Sequence, residues 1–373
     1  MKRCAQLPPQ AGLTLTELLV AMAVALLLLF GVVSLYLANK SSFRHQEAIA
    51  RLNEGGRYAL DLLAFDLRNA GYTGCGPVAT HSNVVTNFTA NWWLDSRAML
   101  RGYDATTGYP ADLAGASNTS DALVVMYRDN ESEQSIINHD AINARFTLGN
   151  THVFSPGEVL YATDCVRDTV FQVSGPNTGP TNLVEHKMGT VSPGNCQVEL
   201  GSSCGQAPVT SYTFAAGGFV SRLIAKAFYV APSSNGQGNS LYVNSLAGGT
   251  LGIPMVFEIM PNVQAMRIRY GLDLDCDGVA DRFATAGQVD TAPRCTAALP
   301  SPWEMVVSAK IELLLLGEEP NITADNQRFC MDYKGTGDPA VCHPANYDYV
   351  FTATDRRAGR VFSTTVALRN RVM

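Results

Sequence analysis

Apolar and polar positions divide this chain into unlike stretches. From Leu18 to Ala38 no residue carries a charge and nearly all are apolar. At about 1.5 Å per residue, a helix of that length spans roughly the 30 Å hydrocarbon core of a bilayer. A polar stretch follows, Asn39 to Arg51, with Phe43 and Ile49 interspersed. Next, Leu60, Leu63 and Leu67 recur at i, i+3, i+7, the spacing of a helix that lays one face on a domain. Asn69-Ala70-Gly71 closes the pattern, and Gly71 suits the left-handed residue just past a helix end. The pattern predicts one long helix, residues 13–70, with 13–38 in lipid and 39–70 amphipathic. Gly55-Gly56 interrupts it. Each glycine disfavours helix by about 1 kcal/mol against alanine, so the pair predicts weakening or a bend there.

Beyond Gly71 the periodicity changes. Met266, Ile268 and Tyr270 alternate with Arg267 and Arg269, as in a half-buried strand. Asp121 to Tyr127, Val306 to Leu316 and Arg360 to Leu368 also read as strands. Clusters of Gly, Pro, Ser and Asn at 175–182, 201–208 and 232–239 separate β-rich segments. No repeat or interdomain linker stands out. The fold class expected is α+β: the long N-terminal helix packed on an antiparallel sheet, with disulfide-pinned loops. Residues 71–373 then form one β-rich globular domain, of which about 78–261 resembles no known family and has no assigned fold.

Composition narrows the class. The chain has 373 residues, 46% hydrophobic and 16% charged, enough to bury a sizeable core. Its formal charge is −6, and loss of Lys2 and Arg3 with a leader would lower this to −8. That balance argues against nucleic acid as a partner. The basic residues Arg356, Arg357, Arg360, Arg369 and Arg371 read as solvated ends of a last strand. Nine cysteines are present. Cys4 precedes the apolar run; Cys75, Cys165, Cys196, Cys204, Cys276, Cys295, Cys330 and Cys342 all follow it. With Lys2 and Arg3 held on the cytoplasmic side, those eight face an oxidising compartment where disulfides persist. No CxxC pair occurs, against zinc ribbons and thioredoxin-like chemistry. Sequence proximity favours Cys196–Cys204, Cys276–Cys295 and Cys330–Cys342, which leaves Cys75–Cys165.

The start of the apolar run is the most informative feature. Gly12-Leu13-Thr14-Leu15-Thr16-Glu17 stands between a short basic leader and the uncharged stretch. A secretory signal would need a small-x-small site after its core, and Tyr36-Leu37-Ala38-Asn39-Lys40 fits poorly. A plain anchor gives no reason for Gly12 or for a carboxylate at the membrane edge. The segment resembles the type IV prepilin N-terminus, with Leu13 where that family usually has Phe. The resemblance implies a leader at 1–12, cleavage between Gly12 and Leu13 by a prepilin peptidase, and methylation of the new amine. It also implies that Glu17, one helical turn from Leu13, pairs with a neighbouring subunit's amine during assembly. The competing reading is that Glu17 caps the helix start. Three segments resemble PilW-type minor pilins more narrowly: Gly56 to Cys75, Val263 to Arg282, and Thr364 to Arg371.

One loop carries ligand spacing. Asp273, Asp275 and Asp277 occupy positions one, three and five of a calcium-loop pattern, with Gly278 at six, the Val279 carbonyl at seven and Asp281 at nine. Position twelve is Ala284 instead of an acid, and Asp290 is a candidate to fill the gap. The expected cofactor is structural Ca²⁺; the alternative is a solvated acidic turn. No catalytic set emerges: the six histidines are scattered, and none lies in an HExxH or GxSxG setting. The expected function is non-enzymatic, and the resemblance implies a minor pilin that primes type IV pilus assembly at the filament tip. The resemblance implies other minor pilins, the major pilin, a tip adhesin and the prepilin peptidase as partners. It places the chain in the inner membrane with a periplasmic domain before assembly, and in the pilus afterwards. The alternatives are a GspJ-like type II secretion pseudopilin and a pilus-associated adhesin.

Overall fold

A computed structural model describes residues 14–75, 80–97, 99–113, 115–152, 154–177, 181–206, 212–246, 253–297, 299, 301–336 and 338–371. The leader, Gly12 and Leu13 lie outside the described residues. Helix α1 (Leu15–Asn69) runs 55 residues without interruption. Gly55 and Gly56 do not break it. Their role is packing: a Cβ on Gly56 would lie 2.5 Å from the Phe362 ring, and one on Gly55 3.2 Å from Met260 Sδ. The helix ends at Asn69, and just past its cap Ala70 stands Gly71, whose φ is +76°. The Gly71 amide then donates to the Met126 carbonyl at 2.9 Å and turns the chain into the β-region.

Among the described residues seventeen strands follow. The first eight are β1 (Thr80–Asn83), β2 (Leu100–Tyr103), β3 (Ala122–Arg128), β4 (Gln134–Asp140), β5 (Arg145–His152), β6 (Val159–Thr163), β7 (Arg167–Gln172) and β8 (Thr181–Glu185). Next come β9 (Phe219–Pro232), β10 (Asn239–Ser245), β11 (Met255–Pro261), β12 (Val263–Leu272) and β13 (Arg282–Ala284). A short helix α2 (Ala286–Asp290) precedes β14 (Val306–Leu316), β15 (Gln327–Tyr333), β16 (Tyr347–Ala353) and β17 (Gly359–Ala367). The strands expected near Asp121, Asn262, Val306 and Arg360 are β3, β12, β14 and β17.

Two sheets do most of the building. β12, β14 and β17 pair antiparallel with β13 on one edge. Register puts Ile268 opposite Ile311 and Ala309 opposite Val366. This face packs on Leu60, Leu63 and Leu67 of α1 in one core. The second sheet has eleven strands and branches at β9. The first residues of β9 pair with β6 and β4, and the rest with β3 and β10. One pair departs from the antiparallel expectation: β1 runs parallel to β7. Such a pairing needs a long crossover, and 80–83 meets 167–170 across the chain segment that forms β2 to β6.

Buried acids join the layers. Asp66 of α1 is fully buried; it accepts from Lys226 Nζ at 2.8 Å and from the Tyr127 hydroxyl at 2.5 Å. Asp121 accepts from the Ile268 amide at 2.7 Å and from Arg267 at 2.9 Å, tying the two sheets. Burial pushes the Asp121 carboxyl up to about 6, against the pull of Arg267 and the Ile268 amide. The disulfides are Cys75–Cys165, Cys196–Cys204, Cys276–Cys295 and Cys330–Cys342, as proximity and the remainder anticipate.

Candidate functional site

The helix has two unlike halves. Every described residue from Thr14 to Glu47 is exposed, including Leu18, Leu19, Leu26, Leu27 and Phe30. Packing begins at Ala48 and Ile49, and Leu52 is the first buried residue. An apolar helix surface with no partner in the monomer fits lipid or neighbouring helices, not water. By length and hydropathy this segment can cross a membrane.

At its start Thr14 is the N-cap. Its hydroxyl oxygen accepts from the Glu17 amide at 3.3 Å, while Glu17 Oε2 accepts from the Thr14 amide at 3.0 Å and the Thr14 hydroxyl at 2.9 Å. This reciprocal box satisfies two amides that a helix end leaves free. The capping reading of Glu17 is therefore realised in the isolated chain. All bonds fall on Oε2; among the described residues Oε1 makes none.

The acidic loop leaves β12 and returns to β13. One carboxylate oxygen from each of Asp273, Asp275 and Asp281 lies within 4.8 Å of the others, a spacing that could hold a metal ion. Asp277 is turned aside, its Oδ1 accepting from the Val279 amide at 2.8 Å. Asp273 is buried and accepts from the Asp277 and Gly278 amides at 3.1 and 2.7 Å. Asp281 Oδ2 accepts from the Leu274 amide at 2.7 Å. Desolvation and the like charges of Asp277, Asp281 and Asp273 raise the Asp275 carboxyl above the usual range. Gly278 has φ +86°, which supplies the sharp turn. Asp290 does not fill the position-twelve gap: its Oδ1 accepts from Trp303 Nε1 at 2.7 Å, and it stands 3.8 Å from Arg101. The Cys276–Cys295 bridge anchors the loop.

Folding also assembles a constellation that no local motif announces. His81 Nδ1 lies 2.6 Å from Asp168 Oδ1, and His81 Nε2 lies 2.8 Å from Ser96 Oγ. These are nucleophile–base–orienter distances. Ser96, however, is only 3% exposed, and its oxygen also accepts from Asn83 Nδ2 at 3.1 Å. A sealed serine cannot meet a substrate, so the set locks β1 and β7 to the loop before β2. A second buried pair, His139 and His186, sits 3.1 Å apart at Nε2 among Phe146, Phe171 and Phe214. Sequence spacing signalled neither set, because the members meet only through sheet pairing.

Comparison with known proteins joins these observations. Residues 227–370 match the family described as Type IV Pilus-assembly protein W. Residues 7–33 match the Prokaryotic N-terminal methylation motif. The first match takes in the second half of β9 through β17; the second covers Gly12, Leu13, Glu17 and the exposed apolar helix. Among solved structures, a type IV-like pilin from Thermus thermophilus aligns over 87% of this chain and 99% of its own, at 9% identity and TM-score 0.36. At that score the likeness is too loose to transfer anything. No curated protein sequence matches the chain.

Proposed function

We propose that this chain, a PilW-type pilin with a prepilin-like N-terminus, serves as a minor subunit that primes type IV pilus assembly at the filament tip. The observation that carries this reading is α1 itself. A single helix is naked and apolar over one half and locked into a β-domain over the other, so a force on one half is transmitted to the other. Before assembly the apolar half resides in the inner membrane with the domain in the periplasm; afterwards it packs among neighbouring helices in the pilus. The partners are other minor pilins, the major pilin and a tip adhesin, with a prepilin peptidase acting first between Gly12 and Leu13. The match at 227–370 favours the pilus over a GspJ-like secretion pseudopilin.

Glu17 has capacity for a second role in this scheme. The Thr14 box begins one residue after the proposed cleavage point, so processing leaves it intact. Oε1 remains available to a neighbour's Leu13 amine, and pairing would offset the desolvation of both charges in lipid. Glu17→Val tests this. Membrane insertion and cleavage should persist, because the segment becomes more apolar. Most of the incorporation into sheared filaments should be lost. Wild-type incorporation of Glu17→Val would leave Glu17 as a cap only.

The acidic loop is proposed to bind Ca²⁺ structurally, with Asp273, Asp275 and Asp281 as carboxylate ligands and the Val279 carbonyl and Asp277 recruited on binding. The ion would neutralise like charges that otherwise oppose the turn.

A further inference from the structure

A small pocket lies between the loop before β2, strands β2 and β3, and the turn at Ser301-Pro302-Trp303. Its volume is about 170 Å³, room for one ring but not for a chain. Leu100, Val124, Met126 and Trp303 are each at most 2% exposed and make an apolar floor. Charge is confined to the rim. There Asp95 and Arg97 satisfy each other through two bonds of 2.6 Å, which leaves little of either for a ligand.

Arg101 differs. Its guanidinium lies over the Tyr103 ring at 5.4 Å and reaches Asp290 only at 3.8 Å. Among the described residues it makes no hydrogen bond, and its Nε is buried without a partner. Asp290 meanwhile is committed to Trp303. The side chain is 41% exposed at the pocket mouth. A planar guanidinium with unfilled donors, held on an aromatic ring, suits a carboxylate in bidentate geometry. The apolar floor suits the C–H face of a sugar ring, and Ser301 stands in the lining to meet a hydroxyl.

We propose that this pocket binds a monosaccharide unit carrying a carboxylate, with Arg101 recognising the acid. The test is calorimetric titration of the full chain in detergent micelles with methyl glucuronide, methyl glucoside, benzoate and acetate. Methyl glucuronide should bind in the millimolar range. Methyl glucoside should bind about tenfold more weakly, as should methyl glucuronide to Arg101→Gln. Arg101→Lys keeps the charge without the fork and should weaken binding several-fold, which covers the case where Arg101→Gln folds poorly. Several outcomes overturn the proposal: no saturable binding of methyl glucuronide, equal binding of the neutral glucoside, or equal binding of acetate and benzoate, which would mean a plain anion site. Unchanged affinity in both Arg101 variants would overturn it too.

Discussion

Buried polar residues carry information here that hydrophobic periodicity does not. His139 Nδ1 accepts from the Phe214 amide at 3.1 Å, so its Nε2 carries the proton and donates to His186 Nε2. The Phe146 ring stacks on His139 at 4.2 Å, and the nearest acid, Asp140, only partly offsets burial. Burial holds His139 down at about 4; burial and the neighbouring His139 hold His186 at about 3. Both lie below the ordinary 6.5. The unfolded chain therefore takes up protons first as pH falls. Stability from this pair is complete above about pH 6.5 and declines as pH falls toward 4. At pH 4.5 the unfolded chain carries a proton on both imidazoles while the folded pair stays largely neutral, so roughly 5 kcal/mol should be lost by then. Thermal denaturation across pH 7.5 to 4.5 should be steeper for wild type than for His186→Phe, whatever the variant's baseline. Equal slopes would mean that the acid response arises elsewhere.

At the scale of elements, the loop between β12 and β13 is the one whose behaviour should depend on an ion. Its amide bonds already shape the turn, and the Cys276–Cys295 bridge holds one side. An ion would thus add to a partly organised loop, and the gain should be a few degrees in melting temperature through mass action on the folded state. Full chain in micelles, compared with and without Ca²⁺ at fixed ionic strength, checks this, since plain salt also screens clustered carboxylates. Asp275→Ala should abolish the gain, whereas Asp277→Ala should reduce it less, because Asp277 stands outside the trio. Mg²⁺ matching Ca²⁺ fully, with Asp275→Ala responding as wild type, would make the loop a solvated acidic turn. The other instructive element is α1. Glycine at 55 and 56 suggests a bend when only helix propensity is weighed; in the fold, both admit close neighbours from the sheet.

Across the whole molecule, legibility tracked the range of the interactions. The helix, the Leu60–Leu63–Leu67 face and strand β12 follow from local period, β3 and β14 from long apolar runs, β17 from its local sequence, and three disulfides join near neighbours. The middle of the chain resisted for physical reasons. β6 is buried at all five positions, so it shows no alternation. β9 changes partners halfway along, and β1 pairs with β7 in parallel from far upstream. The Asp66–Lys226–Tyr127 contact and the Ser96–His81–Asp168 set likewise depend on residues brought from distant segments. The acidic loop was legible as a cluster, but the turn of Asp277 toward the Val279 amide and the commitment of Asp290 to Trp303 were not. What the sequence places most sharply, the Gly12–Leu13 junction, is also what the account of function depends on. Mass spectrometry of this chain recovered from sheared pili tests it most directly. The account predicts an N-terminus at methylated Leu13, and loss of the chain from pili for Gly12→Glu. An intact Met1 terminus, a cut beyond Ala38, or normal processing of Gly12→Glu would contradict it.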